Sequence, residues 1–247
     1  MWASSKVALS NLARWLLDFG LPSRCPSCGT IVSDVHSFCA ECWREIEFLG
    51  DGGCVSCGLP LQATEADRCA VCTAEEPQIE RIRSAVAYDD MSRGLVLRLK
   101  YGRKIAIART MARYMSPLVH AGEDKIFVPV PLHRRRLWQR GFNQSAMIAN
   151  ELARRTGMPL ERLALRRIKA TPPLKGFSLS QRRRTVAGAF AVTDKSAVAG
   201  KTIILVDDVL TTGSTAIACA RTLKRAGAAR VELISWARVV RPAQLER

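Results

Sequence analysis

The chain has 247 residues, 48% of them hydrophobic, with a formal net charge of +16; it is long and apolar enough for one substantial domain plus a small one, which excludes a disordered chain. Nine cysteines raise the alternative of an oxidised, secreted scaffold, but eight of them form four Cys-x-x-Cys pairs with no secretory leader ahead of them, as expected of a protein in a reducing cytoplasm. The charge is split: residues 1–80 hold 5 Lys/Arg against 11 Asp/Glu, and residues 81–247 hold 33 against 11, so an acidic part precedes a basic one.

Residues 1–20 read as an amphipathic helix, since Leu9, Leu12, Leu16 and Phe19 recur at near-helical spacing and Arg14 and Asp18 interrupt the apolar face. The segment is too short to span a bilayer, and no other apolar run reaches transmembrane length. Trp2 and Trp15 suit a membrane interface; docking on the rest of the chain is the simpler expectation.

Residues 21–77 carry Cys25-x-x-Cys28 and Cys39-x-x-Cys42, ten residues apart, then Cys54-x-x-Cys57 and Cys69-x-x-Cys72, eleven apart. The unit is an internal repeat. Each pair forms a knuckle aiming two sulfurs at one tetrahedral ion, and Gly29 and Gly58 supply the permissive backbone behind the first knuckle of each set. Two structural Zn²⁺ ions in a double zinc ribbon are expected. Sequential pairing is preferred, with a cross-braced pairing as the alternative. His36 falls between knuckles as a bystander to four sulfurs. So small a polar segment folds on its metal, and a saturated four-sulfur site leaves no open position for catalysis.

The composition changes after Pro77, and residues 81–247 form the second domain. Ser84–Tyr88 reads as a strand, Ser92–Tyr101 and Ile105–Met115 as helices, and Lys125–Leu132 as a buried strand. A helix follows over Asn143–Arg155, then a strand over 202–206, a helix over 214–226 ending near Gly227, and a strand over Arg230–Ala237. The alternation specifies an α/β fold with a mainly parallel sheet flanked by helices, which binds ligands at the carboxyl ends of its strands. Two basic segments stand out: 129–144 leaves a strand, carries four arginines and enters a helix, and 171–190 shows no clear apolar period.

The run Ile203–Thr215 joins a buried strand to Asp207 and Asp208, and then to Thr211, Thr212, Gly213, Ser214 and Thr215 at the start of a helix. The carboxylates suit sugar hydroxyls and a hydrated Mg²⁺. The loop hydroxyls and amides suit a phosphate at the helix N-terminus. This pattern resembles the PRPP-binding signature of type I phosphoribosyltransferases. That resemblance implies a pyrophosphate-binding loop at His133, Arg134 and Arg140, and a flexible closing loop over residues 171–190.

The double zinc ribbon, Pro-Val-Pro-Leu…Arg-Gly-Phe-Asn-Gln, Leu-Ser…Gly-Ala-Phe and Val-Asp-Asp-Val-Leu-Thr-Thr-Gly together resemble the ComF family, GntX-like proteins included, over nearly the whole chain. The resemblance implies a cytoplasmic protein of bacterial DNA uptake or use on a phosphoribosyltransferase fold. One departure is that Arg184-Thr185-Val186-Ala187 lacks the asparagine expected before Gly-Ala-Phe.

Residues 133–184 hold 14 Lys/Arg and 2 Asp/Glu, more cations than a small phosphorylated substrate needs. Arg134, Arg135, Arg136, Arg140, Arg182, Arg183 and Arg184 therefore form a candidate patch for single-stranded DNA, with Trp138, Phe142 and Phe177 able to stack on bases or to sit in the core. Lys100 at a helix end could place a cation near the site, although a helix C-terminus favours lysine without any ligand; Cys219 inside the last helix reads as structural, and His133 as loop packing or an acid–base group. Three functions compete: a binding protein for PRPP, Mg²⁺ and single-stranded DNA; a phosphoribosyltransferase with an unknown acceptor; and a zinc-ribbon adaptor docking a helicase or another part of the DNA-uptake machinery.

Overall fold

The computed structural model describes residues 22–61, 67–102, 105–172 and 177–240. The helix expected over residues 1–20 and residues 173–176 of the basic segment lie outside the described residues. The chain divides between Glu45 and Ile46 into two compact units.

The smaller unit carries the first two knuckles. Gly29 takes a φ of 85° and its N–H donates to Cys25 O at 3.0 Å, while Cys25 N–H donates to Thr30 O at 2.8 Å, closing the turn that brings Cys25 and Cys28 together. Helix α1 (Ala40–Glu45) carries Cys42 into the interior.

The larger unit opens with residues 46–61, the third knuckle among them, laid along β1 (Arg81–Ala87). Leu49 N–H donates to Ala85 O at 3.0 Å, Ala87 N–H to Glu47 O at 2.9 Å, and Ile82 N–H to Ser56 O at 2.7 Å. Asp51 accepts from Arg81 Nη2 at 2.7 Å and from Arg83 Nε. Gly58 is required here: its φ is 66°, and a Cβ would lie 2.5 Å from Ile82 O. The fourth knuckle runs into α2 (Ala70–Ala74).

The sheet contains β1, β2 (Lys125–Pro129), β5 (Thr202–Leu210) and β6 (Arg230–Arg238) in the order β1-β6-β5-β2, all parallel. Ile203, Ile204, Leu205 and Val206 are all buried, as a continuous apolar run becomes when a strand is covered on both faces. On one face Ile203, Leu205, Val231 and Leu233 meet Ala216, Cys219, Ala220 and Leu223, one stripe of α8 (Ser214–Arg225) at helical spacing. On the other lie α4 (Ala106–Met115) and α6 (Gln144–Thr156), which bury Met111, Met115, Ile148 and Leu152. Helix α3 (Asp90–Tyr101) starts on a capping box between Asp89 and Ser92.

The expected helices recur within two residues, and the strands differ at their ends. The strand expected to reach Leu132 stops at Pro129: Val130 N–H still bonds to Val206 O at 2.9 Å, and Pro131 then has no N–H to donate. β5 instead outruns its apolar run, because its ladder with β6 continues through Asp207, Val209 and Leu210. Both carboxylates therefore sit on a strand. The basic segments also gain structure. Arg134–Arg140 is helix α5, capped by His133 Nδ1 and closed by left-handed Gly141. Leu179–Val186 is helix α7, begun by a Ser178–Gln181 capping box. Between them, β3 (Leu165–Arg167) and β4 (Phe190–Val192) form a small antiparallel pair.

Candidate functional site

Asp207 and Asp208 leave the end of β5 toward opposite faces. Asp208 is 4% exposed, and Lys100 Nζ at the end of α3 lies 2.5 Å from its Oδ2. The contact is ionic rather than an aligned hydrogen bond, and no other partner reaches that oxygen. Asp207 Oδ1 accepts from Ser145 Oγ at 3.0 Å and from Asp208 N–H at 2.9 Å. Burial, followed by the neighbouring Asp208 charge, pushes the Asp207 carboxyl up to about 7. Two like charges this close in a shielded place resist joint ionisation. A divalent cation or a ring of hydroxyl donors relieves that repulsion.

The loop after β5 presents Thr211 at the surface and joins Thr212 Oγ1 to Ser214 Oγ at 3.0 Å. Gly213 caps α8 with φ 74°. A Cβ there would meet nothing nearer than 3.8 Å, so the glycine is demanded by the left-handed backbone rather than by crowding. No side chain caps α8, whereas Asp89, Asn143 and Ser178 cap the starts of α3, α6 and α7. The first amides of α8 are thus left for an anion, which the helix dipole favours. Thr215 is half-buried in that first turn.

The cationic residues divide. His133 Nδ1 accepts from Arg135 N–H at 3.3 Å, which makes it a helix cap. Arg140 is held by Gln144 Oε1 at 2.6 Å and lies 5.2 Å from the centre of the Tyr101 ring. Arg136 Nη2 donates to Thr171 O at 3.4 Å. Arg134, Arg135, Arg183 and Arg184 are exposed. Arg182 Nη1 reaches Thr211 Oγ1 at 3.4 Å, so α7 already touches the loop after β5. Trp138 is 87% exposed and therefore not a core residue; Phe142 and Phe177 are half-buried. Cys219 is buried in the core, which raises its thiol well above the ordinary range.

Three residues at the site were not assigned to it from the sequence. Lys100 was explained by its helix end, and Ser145 sits beyond the Asn-Gln motif that drew attention. Arg167 lay unremarked among many arginines. It is 9% exposed, its Nε has no partner, and its guanidinium lies 5.4 Å from the Phe190 ring centre. Burial and the Arg136 charge lower its pKa, while Cys219 and Asp207 act the other way. Its Nη2 donates to Thr171 Oγ1, which holds this buried cation at the end of β3.

The eight knuckle cysteines converge as Cys25, Cys28, Cys39, Cys42 and as Cys54, Cys57, Cys69, Cys72, the sulfurs of each quartet all within 4.8 Å of one another. Sequential pairing holds. All are free thiols, with Cys28 and Cys39 sulfurs 3.6 Å apart and Cys57 and Cys69 sulfurs 3.7 Å apart. Four thiolates at this spacing fit Zn²⁺ in a closed structural site. His36 is not a member of either quartet.

Comparison with known proteins agrees with this geometry. The chain matches the double zinc ribbon domain family over residues 16–73 and the phosphoribosyl transferase domain family over residues 143–245. It is 29% identical over 224 residues to Competence protein F of Haemophilus influenzae, covering 87% of this chain and 96% of that protein. It is 34% identical over 207 residues to the DNA utilization protein YhgH of Salmonella typhimurium, covering 81% and 88% respectively. Over 203 residues it is 30% identical to Competence protein ComFC of Bacillus subtilis, with 77% and 79% covered. Fold and site thus define a double zinc ribbon carrying a type I phosphoribosyltransferase-like domain. The chain belongs to the ComF/YhgH family of competence and DNA utilization proteins. Among the described residues no helix is long and apolar enough to cross a membrane.

Proposed function

We propose that the chain is a cytoplasmic DNA-utilization protein that binds a PRPP-type phosphosugar with Mg²⁺ and holds single-stranded DNA beside it. The observation that carries the reading is the juxtaposition at the end of β5: a carboxylate pair, then a left-handed glycine, then a helix start that no side chain caps. In this reading the ribose diol lies against Asp207 and Asp208, and the 5-phosphate against Thr211–Thr215. Arg134 is free at the surface to meet the diphosphate, while His133 shapes that loop as a cap and Arg140 is held at its far end. Hard carboxylate oxygens suit Mg²⁺; the ion would neutralise diphosphate charge. Lys100 orients Asp208 through their ion pair, and Ser145 orients Asp207 through its hydrogen bond.

The DNA element of the reading rests on the surplus of exposed arginines and on Trp138, an aromatic face in water amid cations. Affinity for an unstructured oligonucleotide should fall steeply with added salt; flat binding between low and physiological salt contradicts it. PRPP with Mg²⁺ should give saturable heat in calorimetry, and ribose lacking phosphates should give none.

A second reading, turnover as a phosphoribosyltransferase, is favoured by the Asp207 carboxyl titrating near neutrality beside a buried arginine, since perturbed groups gather at reactive sites. Sustained pyrophosphate release with any base, amine or DNA end supports it. Release no faster than in buffer removes it.

A further inference from the structure

The Thr211–Ser214 loop has a second flank. Away from Asp207 and Asp208, it opens onto a cavity of about 700 Å³ between the second cysteine quartet, residues 75–79 and one stripe of α8, a volume within the ordinary range for ligand sites. The carboxylates do not line it. Its floor is aliphatic, from Leu59, Ile79, Ile82, Leu210 and Ile217, with the Phe190 ring among them.

Its rim is basic on one side. Arg221 and Arg225 project from α8 and Arg183 from α7, all three exposed. Among the described residues no ion pair or hydrogen bond holds any of them, although Lys224 on the same helix is paired with Glu80 at 2.7 Å. Unpaired arginines around an apolar slot match a ligand that is anionic along its edge and flat and apolar within. Arg221 and Arg225 stand about 6 Å apart along the helix axis, so the cations are strung along the groove. A chain of phosphodiesters fits that spacing better than one terminal phosphate cluster. Glu75 and Glu76 also line the cavity; they repel a polyanion, which leaves the arginines of α7 and α8 as its track.

We propose that this groove holds a single-stranded nucleic acid, its phosphates along Arg183, Arg221 and Arg225 and its bases turned onto the aliphatic floor beside the second zinc quartet. The proposal rests on the reading that the chain binds single-stranded DNA, and it moves the strand's path from the α5 surface to the ribbon side of the phosphate loop. Cys57, Cys69 and Cys72 line the same cavity, so the second ribbon serves as one wall of the groove.

The test is fluorescence anisotropy with a labelled oligo(dT) on the full chain. Three proteins are compared: wild type, Arg221→Glu/Arg225→Glu, and Arg134→Glu/Arg135→Glu. The heat of PRPP binding is measured on each, and circular dichroism confirms that each is folded. The groove predicts that Arg221→Glu/Arg225→Glu weakens oligonucleotide binding by about tenfold or more, as loss of two phosphate contacts should, with PRPP binding unchanged. Unchanged oligonucleotide affinity in that variant, with loss in Arg134→Glu/Arg135→Glu, overturns the groove and leaves the DNA-binding function standing. No binding by wild type overturns both. Competition by free dTMP as effective, mole for mole, as by oligo(dT) also overturns the strand proposal, since the groove would then be a mononucleotide site.

Discussion

Asp207 is the residue whose chemistry conflicts most with stability. Its carboxyl is raised to about 7 in the folded chain against about 4 when unfolded, so the folded state holds a proton that the unfolded state has lost. The stability linked to that proton is present below the unfolded value and disappears as pH rises through the folded one. Asp207→Asn should therefore raise the melting temperature of the ligand-free chain, most above pH 7 and progressively less toward pH 4, while weakening phosphosugar binding. A melting temperature unaffected by the substitution at pH 8 contradicts the assigned repulsion. Ser145→Ala removes a hydrogen bond to this charged group and should lower PRPP affinity by about tenfold, in line with about 1.5 kcal/mol or more for such bonds; calorimetry reads it directly. The carboxylates and the loop were legible in the sequence because their chemistry is written in consecutive residues. Lys100, Ser145 and Arg167 were not, because each reaches the site only through the packing of α3, α6 and β3 against the sheet.

At the scale of elements, the basic segments show where periodicity fails as a guide. Helices α5 and α7 bury too little apolar surface to show a period. They are specified by their ends instead: His133 and Gly141 for one, Ser178 and Gln181 for the other. The departure at Arg184–Ala187 is accommodated in the same way, with Val186 buried and Thr185 Oγ1 donating to Gln181 O at 2.8 Å. Because α5 presents Trp138 to water, Trp138→Ala should leave the melting temperature unchanged, and with the strand in the groove beside the second ribbon it should leave oligonucleotide affinity unchanged as well; a loss of about 1–3 kcal/mol would place a stacked base on α5 instead. A large loss of stability instead would return Trp138 to the core. Helix α8 is tied to the segment before β1 by Glu80, which accepts from Lys224 Nζ at 2.7 Å and from Val231 N–H at 2.9 Å. Burial pushes its carboxyl up, and these partners overcome that to leave it below its ordinary value. The resulting stability is present above the unfolded carboxylate pKa and is lost as pH falls through the folded one. Glu80→Gln should cost about 1 kcal/mol at pH 7 for this partly exposed group, and the difference should vanish on acidification; chemical denaturation at the two pH values checks it.

The whole molecule joins a metal-built part to a sheet-built part. The sequence already implied both, since the cysteine repeat and the βα alternation belong to different periodicities. It did not show that the chain divides after Glu45, because the knuckles of both ribbons look alike; the second quartet is tied to the larger unit by the hydrogen bonds of residues 46–58 to β1 and of Arg238 on β6 to Cys57 O, which only folding reveals. Metal analysis should accordingly find two zinc ions per chain, one for each quartet. Their removal by a chelator should lower the melting temperature, because metal binding supplies folding free energy to such small segments; full thermal stability in metal-free protein contradicts the structural assignment. The central claim, however, concerns the end of β5. The measurement that tests it most directly is a calorimetric titration of PRPP with Mg²⁺ into wild type and into Asp207→Ala/Asp208→Ala. A saturable heat in the wild type that is lost in the double variant is the predicted result, and equal heats from both proteins would contradict it.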